Sequence, residues 1–139
     1  MRLLTTLSLL LLAAAAGCGA SSEAPAPAAP TVDLRITVWP LGEGRSTAKK
    51  YTLRCNPAGG TLPNGRRACE RLLALRAAFA PVPRDTACTE IFGGPHQALV
   101  TGTFRGRTVK ARFGRTDGCQ ISRWDKHRFL FPGALTGAS

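Results

Sequence analysis

The sequence is poor in acidic residues, in histidine and in the motifs of common enzymes. Its 139 residues include 19 lysines and arginines, 8 aspartates and glutamates and 2 histidines, for a formal charge of +11. It contains no Cys-x-x-Cys pair, so no cysteines with the spacing of a structural zinc site could bind the ion together with His96 and His127. A Gly-x-Ser-x-Gly motif is absent too, and neither histidine has a nucleophile nearby in sequence. We therefore expect no enzyme, no metal site and no cofactor.

Aromatic residues are also scarce, at 6% of the chain, and the arginines are spread out rather than clustered between aromatic rings. Proteins that bind single-stranded nucleic acid stack bases on aromatic side chains along a basic groove. Nucleic acid is therefore not an expected partner. The excess of positive charge instead favours acidic partners and the anionic polymers of the cell envelope.

The sequence lacks an apolar run long enough to span a membrane, which needs about 20 residues. The run that it does have, Leu3 to Ala16, follows a basic residue and leads into Ala-Ala-Ala-Gly-Cys. This pattern predicts an export signal of the lipoprotein type over residues 1–17, with a lipid attached to Cys18. Ordinary secretion, with cleavage nearby and no lipid, is the alternative.

We expect the exported chain to be extracellular, and to touch the membrane only through that lipid on its outer face. Residues 18–31 are rich in alanine and proline, which favours a semi-rigid tether. Residues 32–139 have the length of one small domain. Four cysteines remain in it, namely Cys55, Cys69, Cys88 and Cys119. An even number in a small exported domain predicts two disulfides, with three pairings open.

Hydrophobic periodicity predicts an α+β domain. Its antiparallel sheet of about five strands is packed by one main helix and a short C-terminal helix. Strands are expected over Val32 to Trp39, over Tyr51 to Cys55 and in a hairpin from Gln97 to Phe113. The main helix is expected over Arg66 to Phe79, with Asn64 as its N-cap. Residues 119–131 fit either a helical turn or a helical turn followed by a final strand over Phe129 to Phe131.

In this order, the elements resemble the subtilisin inhibitor-like family, of the Streptomyces subtilisin inhibitor type. The similarity begins with "LRITV" and continues through "YTLRCNPAGGTLPNGRRACERL". It includes "CTEIF", in the place of the family's reactive loop, and "VTGTFRGRTVKARFGRTDGC", in the place of its hairpin and closing cysteine. It covers most of Leu34 to Cys119.

The resemblance implies an exported inhibitor of serine proteases that acts by a substrate-like exposed loop, and often a homodimer that pairs through its sheet. It also implies the disulfides Cys55–Cys69 and Cys88–Cys119 and a scissile bond between Glu90 and Ile91. We call the protease-binding residues carried over from the family the reactive loop: Cys88, Thr89, Glu90, Ile91 and Phe92. The alternative function is an envelope lipoprotein binding module on the same scaffold that inhibits no protease.

Two features depart from the family pattern. Glu90 stands where members usually present Met, Leu, Lys or Arg, so the expected partner is a subtilisin-like or a glutamate-preferring serine protease. Gly93 and Gly94 follow the loop, where the family has fewer glycines, and should soften it because glycine restricts the backbone least. We expect His96 to be an exposed loop residue close to a docked protease.

Overall fold

The structure, a computed structural model, describes residues 30–134. The predicted signal, the lipidation site Cys18 and nearly all of the tether lie outside the described residues. The elements are β1 (Val32–Trp39), β2 (Lys49–Cys55), β3 (Gly59–Gly60), α1 (Gly65–Ala74), β4 (Gln97–Phe104), β5 (Arg107–Phe113) and α2 (Gly118–His127). A 3-10 turn, Arg128–Leu130, follows α2. None of the helices in the described part is long and apolar enough to cross a membrane.

The five strands form one antiparallel sheet in the order β3-β2-β1-β4-β5. The central strand β1 follows the predicted alternation, since Val32, Leu34, Ile36 and Val38 are fully buried and the residues between them face outward. Successive side chains of a strand point to opposite faces, so one face of the sheet covers the core and the other faces solvent. The β4–β5 hairpin turns at Arg105 and Gly106, which both have positive φ angles. Two such residues are typical of a type I′ hairpin turn.

Both helices cover the inner face of the sheet and share one core with it. Leu72 of α1 and Trp124 of α2 are fully buried in this core, and the Trp124 ring lies 4.6 Å from that of Phe131. The disulfides are Cys55–Cys69 and Cys88–Cys119. The predicted fold class and the disulfide pairing implied by the family resemblance are therefore confirmed.

The structure corrects two details of the predicted secondary structure and confirms the position of the N-cap. The main helix ends at Ala74 rather than Phe79, because Leu75 takes an extended backbone and the chain then turns to bury Ala78. Asn64 precedes the helix as expected, but its left-handed backbone leaves its side chain without a capping hydrogen bond. Of the two alternatives for residues 119–131 the helical one is confirmed, since α2 runs into the 3-10 turn, and the fifth strand is the short β3.

The direction of β1 separates two parts of the chain. Its first residue, Val32, lies opposite Phe104 at one end of the sheet, and its last, Trp39, lies opposite Gln97 at the other. An eight-residue strand spans roughly 23 Å between these ends. The N-terminal segment thus enters the domain at one end, which we call the entry end. The segment that leads into β4 lies at the opposite end, which we call the loop end.

Candidate functional site

The reactive loop carries the most exposed large hydrophobic side chains of the described residues. Ile91 is 59% exposed and Phe92 is 68% exposed, while Leu41 follows at 47%. Glu90 beside them is exposed too, and no helix or strand forms between Ala80 and His96. Adjacent apolar side chains left in water on a small domain indicate a binding surface.

The N-terminal side of the loop is attached to the first turn of α2. Cys88 is joined to Cys119 by the second disulfide, and the Thr89 carbonyl accepts a 2.9 Å hydrogen bond from the Gly118 amide. An added Cβ at position 118 would lie 2.1 Å from Thr89 Oγ1, so any larger residue there would have to displace the Thr89 side chain. Asp117 sets the start of α2, since its carboxylate accepts the Gln120 amide at 2.9 Å. The N-terminal side of the loop therefore contacts the capped N-terminus of α2 directly.

The C-terminal side of the loop is held by Arg115, in the connector (residues 114–117) between β5 and α2. The Gly93 amide donates to the Arg115 carbonyl at 2.7 Å, and Arg115 Nε donates back to the Gly93 carbonyl at 2.8 Å. The same guanidinium forms an ion pair with Asp125 of α2 at 2.8 Å, and the Arg115 side chain is only 15% exposed. Exposed residues 90–92 are thus suspended between two attachment points.

The two glycines after the loop lie close to neighbouring side chains. An added Cβ at Gly93 would lie 2.7 Å from the Ile121 side chain, and one at Gly94 would lie 2.8 Å from the His96 ring. Gly94 also has a φ of 110°, which side chains disfavour. Both positions therefore favour glycine because of close packing, and the prediction that the two glycines soften the loop stays a prediction.

His96 is buried, so the prediction of an exposed loop residue is also wrong. It is 8% exposed and lies beneath Gly94, with its ring 6.2 Å from that of Trp124. Burial lowers the pKa of His96, and the nearby Arg115 charge lowers it further. The sequence did contain a signal for this position, since His96 is in phase with the inward residues Ala98 and Val100 of β4.

The segment before the loop is held by α2 as well. His127 contacts the Ala78 carbonyl through Nε2 and lies 2.8 Å from the Arg123 carbonyl through Nδ1. Arg123 donates to the Ala80 carbonyl at 3.0 Å, and its guanidinium lies 4.0 Å from the centre of the Phe113 ring. Sequence reasoning missed Arg115, Gly118 and Arg123 because each acts on a distant part of the chain.

The site holds an exposed peptide segment in place between two attachment points. Within residues 30–134, one cluster combines potential metal ligands, namely Cys88, Cys119 and Asp117. The two cysteines are consumed by their disulfide, so they supply no thiolates. What remains is an exposed acid followed by two exposed apolar residues, attached at both ends.

The chain was also compared with known proteins. The model of the subtilisin inhibitor-like family matches residues 29–115. Among solved structures, the chain is similar to Streptomyces caespitosus sermetstatin, crystallised in complex with Bacillus licheniformis subtilisin. That match has 24% identity and a TM-score of 0.42, and it covers 76% of this chain and 97% of sermetstatin's. No curated protein matches the chain.

Proposed function

The chain belongs to the subtilisin inhibitor-like family, and we propose that it blocks a serine protease by presenting its reactive loop as a substrate. The observation that carries this proposal is the suspension of exposed residues 90–92 between two attachment points. On one side these are the disulfide and the Thr89–Gly118 hydrogen bond. On the other side they are the paired hydrogen bonds between Gly93 and Arg115.

A protease cleft binds a substrate as an added strand, so the loop must be accessible on both sides of the bond to be cut. We propose that this bond joins Glu90 to Ile91. A loop that is already ordered loses little conformational entropy on binding, which raises affinity. The protease pocket then receives Glu90, and Ile91 and Phe92 contact the surface on the leaving side.

The two attachments would also allow the scissile bond to re-form after the protease has cut it. Hydrolysis would add one water across the bond and create a carboxylate on Glu90 and an amine on Ile91. Thr89 and Gly93 keep the two new ends beside each other, through Gly118 and Arg115. Reactive groups held together behave as if at very high concentration. Religation, which expels that water, therefore competes with release of the cut chain.

The target class follows from Glu90. A carboxylate placed in an apolar pocket without a partner costs several kcal/mol. A pocket floored by an acid repels it. A protease whose specificity pocket is basic or openly polar accepts a carboxylate. We therefore propose that the preferred target is a glutamate-preferring serine protease, with subtilisin-like proteases as the other candidates.

The test is a stoichiometric titration of the folded, oxidised chain against glutamate-preferring, subtilisin-type and trypsin-type serine proteases. We expect one-to-one inhibition of the first. Glu90→Lys should transfer the strongest inhibition to the trypsin-type enzyme, because the new ammonium pairs with the acid of that pocket. The matched control is Glu70→Lys on the exposed face of α1, which changes the net charge equally and should leave the preference unchanged.

Inhibition of the same enzyme by the wild type and by Glu90→Lys would show that Glu90 does not enter the pocket. No inhibition of any protease by either folded chain would contradict the proposal as a whole. Mass spectrometry of long-lived complexes locates the cut directly, and cleavage at any bond other than Glu90–Ile91 would refute the assignment of that bond.

We further propose that the chain is exported and carries a lipid on Cys18, which tethers the domain outside the cell. The support is the sequence around that cysteine, with its preceding apolar run. Mass spectrometry of the mature N-terminus should find a lipidated Cys18. A free thiol at that position, or cleavage elsewhere, would indicate ordinary secretion.

We also propose a homodimer that pairs through the solvent-facing side of the sheet. The charge of that face should make dimerisation depend on ionic strength. That face carries five basic side chains, namely Arg35, Lys50, Arg54, Lys110 and Arg112, and the acids Asp33 and Glu43. Pairing two such faces brings like charges together, which salt screens. Sedimentation should therefore show more dimer at high than at low ionic strength, and the reverse order would contradict this interface.

A further inference from the structure

At the entry end, a groove combines an apolar floor with a rim of arginines. Phe79, Phe104 and Val109 form the floor, and Arg76, Arg105 and Arg107 lie at the rim. The Phe79 and Phe104 rings pack edge to face at 5.4 Å. We call this surface the arginine groove. None of its lining residues is acidic, so its positive charge is not neutralised locally.

The rim arginines are available to an external partner. The two ion pairs found within residues 30–134 join Arg112 to Glu43 and Arg115 to Asp125, and neither involves the groove. Arg105 donates to the Leu73 carbonyl and is thereby held in place. Arg76 and Arg107 make no side-chain hydrogen bond or ion pair in the described part of the chain. Asp33, the acid of β1, lies on the solvent-facing side of the sheet, at a register position opposite Arg54.

The N-terminal segment joins the domain beside this groove. Thr31, which directly precedes β1, accepts a 2.8 Å hydrogen bond from the Arg105 amide through its carbonyl. Residues 18–30 could span at most about 45 Å when fully extended. A lipid on Cys18 would therefore attach the domain at the entry end, beside the arginine groove, but a tether that can exceed the roughly 23 Å between the two ends does not by itself orient the domain.

We propose that the arginine groove docks on an anionic phospholipid surface and orients the domain with its reactive loop outward. Guanidinium groups pair with lipid phosphates, and the apolar floor matches the boundary between headgroups and acyl chains. The loop end lies at the other end of β1, roughly 23 Å away. A protease approaching from outside would meet the reactive loop unobstructed.

The test measures binding of the exported chain to vesicles. Cys18→Ser removes any contribution from a lipid on the chain. Vesicles of phosphatidylcholine mixed with phosphatidylglycerol should bind the chain, and vesicles of phosphatidylcholine alone should not. Arg76→Gln and Arg107→Gln should each lower the partition coefficient about five-fold, and about 25-fold together, as expected for a basic residue at an anionic surface. High salt should have the same effect as the double substitution.

The matched control is Arg45→Gln with Lys50→Gln, which removes the same charge from the loop end of the sheet. These residues lie farther from the groove than the screening length of about 8 Å at physiological salt, so binding should change about two-fold or less. Equal losses in the two double variants would overturn the proposal in favour of unspecific charge attraction. Absence of binding to the anionic vesicles would overturn it too.

Amide hydrogen exchange on vesicles checks the orientation. Residues 76–79 and 104–109 should gain protection, and residues 88–92 should not. Protection of the reactive loop instead would refute the orientation. The proposal is independent of inhibition, since the Arg76 and Arg107 variants should titrate a protease in solution as the wild type does.

Discussion

At the scale of single residues, the proposed site depends on a glycine as much as on the side chains that we propose contact the protease. Gly118 lies so close to Thr89 that the reactive loop rests on the backbone of α2. Thr89 is the residue directly before Glu90, so a shift at this contact moves the proposed scissile bond itself. An added methyl group at Gly118 would therefore have to push the Thr89 side chain aside.

We predict that Gly118→Ala weakens protease binding about 10- to 100-fold. Overpacking costs about 1–3 kcal/mol, and the displaced Thr89 loses its hydrogen bond to the helix. Inhibition constants measure the effect. Gly114→Ala is the control, because a Cβ there meets no atom within 4 Å. If the two substitutions weaken binding equally, close contact at Gly118 is not what positions the loop.

At the scale of elements, the connector between β5 and α2 joins both sides of the loop to the core. Arg115 bonds Gly93 with its backbone carbonyl and its Nε, and it reaches Asp125 with a terminal nitrogen. Gly118, just after the connector, bonds Thr89. A short segment between two regular elements therefore sets the separation of the two attachment points.

We predict that Arg115→Lys turns lasting inhibition into temporary inhibition. Lysine keeps the charge but cannot reproduce the fixed fork of donors that joins Gly93 and Asp125. The new amine on Ile91 should then drift away after cleavage, and the cut chain should accumulate about ten times faster. Chromatography of inhibitor recovered from the complex measures the cut fraction.

Two controls accompany this variant. Asp125→Asn removes only the ion pair of a half-exposed partner, which is worth about 0–1 kcal/mol, so it should have a smaller effect. Arg112→Lys alters the exposed pair with Glu43 and should have none. A cut fraction that stays at the wild-type level in Arg115→Lys would mean that Gly93 is held sufficiently by its amide alone.

At the scale of the whole molecule, stability depends on two disulfides and on two buried histidines. The disulfides span 14 and 31 residues, and the loop-entropy model assigns them about 3 and about 4 kcal/mol. His96 and His127 are 8% and 3% exposed. Burial lowers the pKa of His127, although its contacts with the Arg123 and Ala78 carbonyls act in the opposite direction.

We predict that the free energy of unfolding falls as the pH drops below about 6.5. Both histidines have a lowered pKa in the folded state, so the unfolded chain takes up protons first. Stability is therefore fully present above the unfolded pKa and is lost as the pH falls through the folded values. Urea unfolding between pH 7.5 and 5 measures the slope. The variant His96→Phe should show a shallower slope, and a slope equal to that of the wild type would assign the effect to His127.

Local pattern was sufficient for most of the fold. The alternation of β1, the hairpin turn at Arg105 and Gly106, and the existence of the main helix all depend on neighbours in sequence. The even number of cysteines predicted two disulfides, but their pairing needed the family resemblance. The family resemblance was also needed to identify position 91 and its neighbours as the reactive loop, because their pattern alone also fits a strand of the core.

The tertiary fold brings together residues whose contacts cannot be predicted from periodicity or composition. The bonds between Gly93 and Arg115 join residues 22 apart, and the buried position of His96 depends on α2, which follows it by more than 20 residues. Such contacts depend on how the connector and α2 pack against the loop. The sequence therefore specified the four long strands and the number of disulfides, because these follow from local alternation and from a count. The attachment of the loop was decided by packing between distant segments.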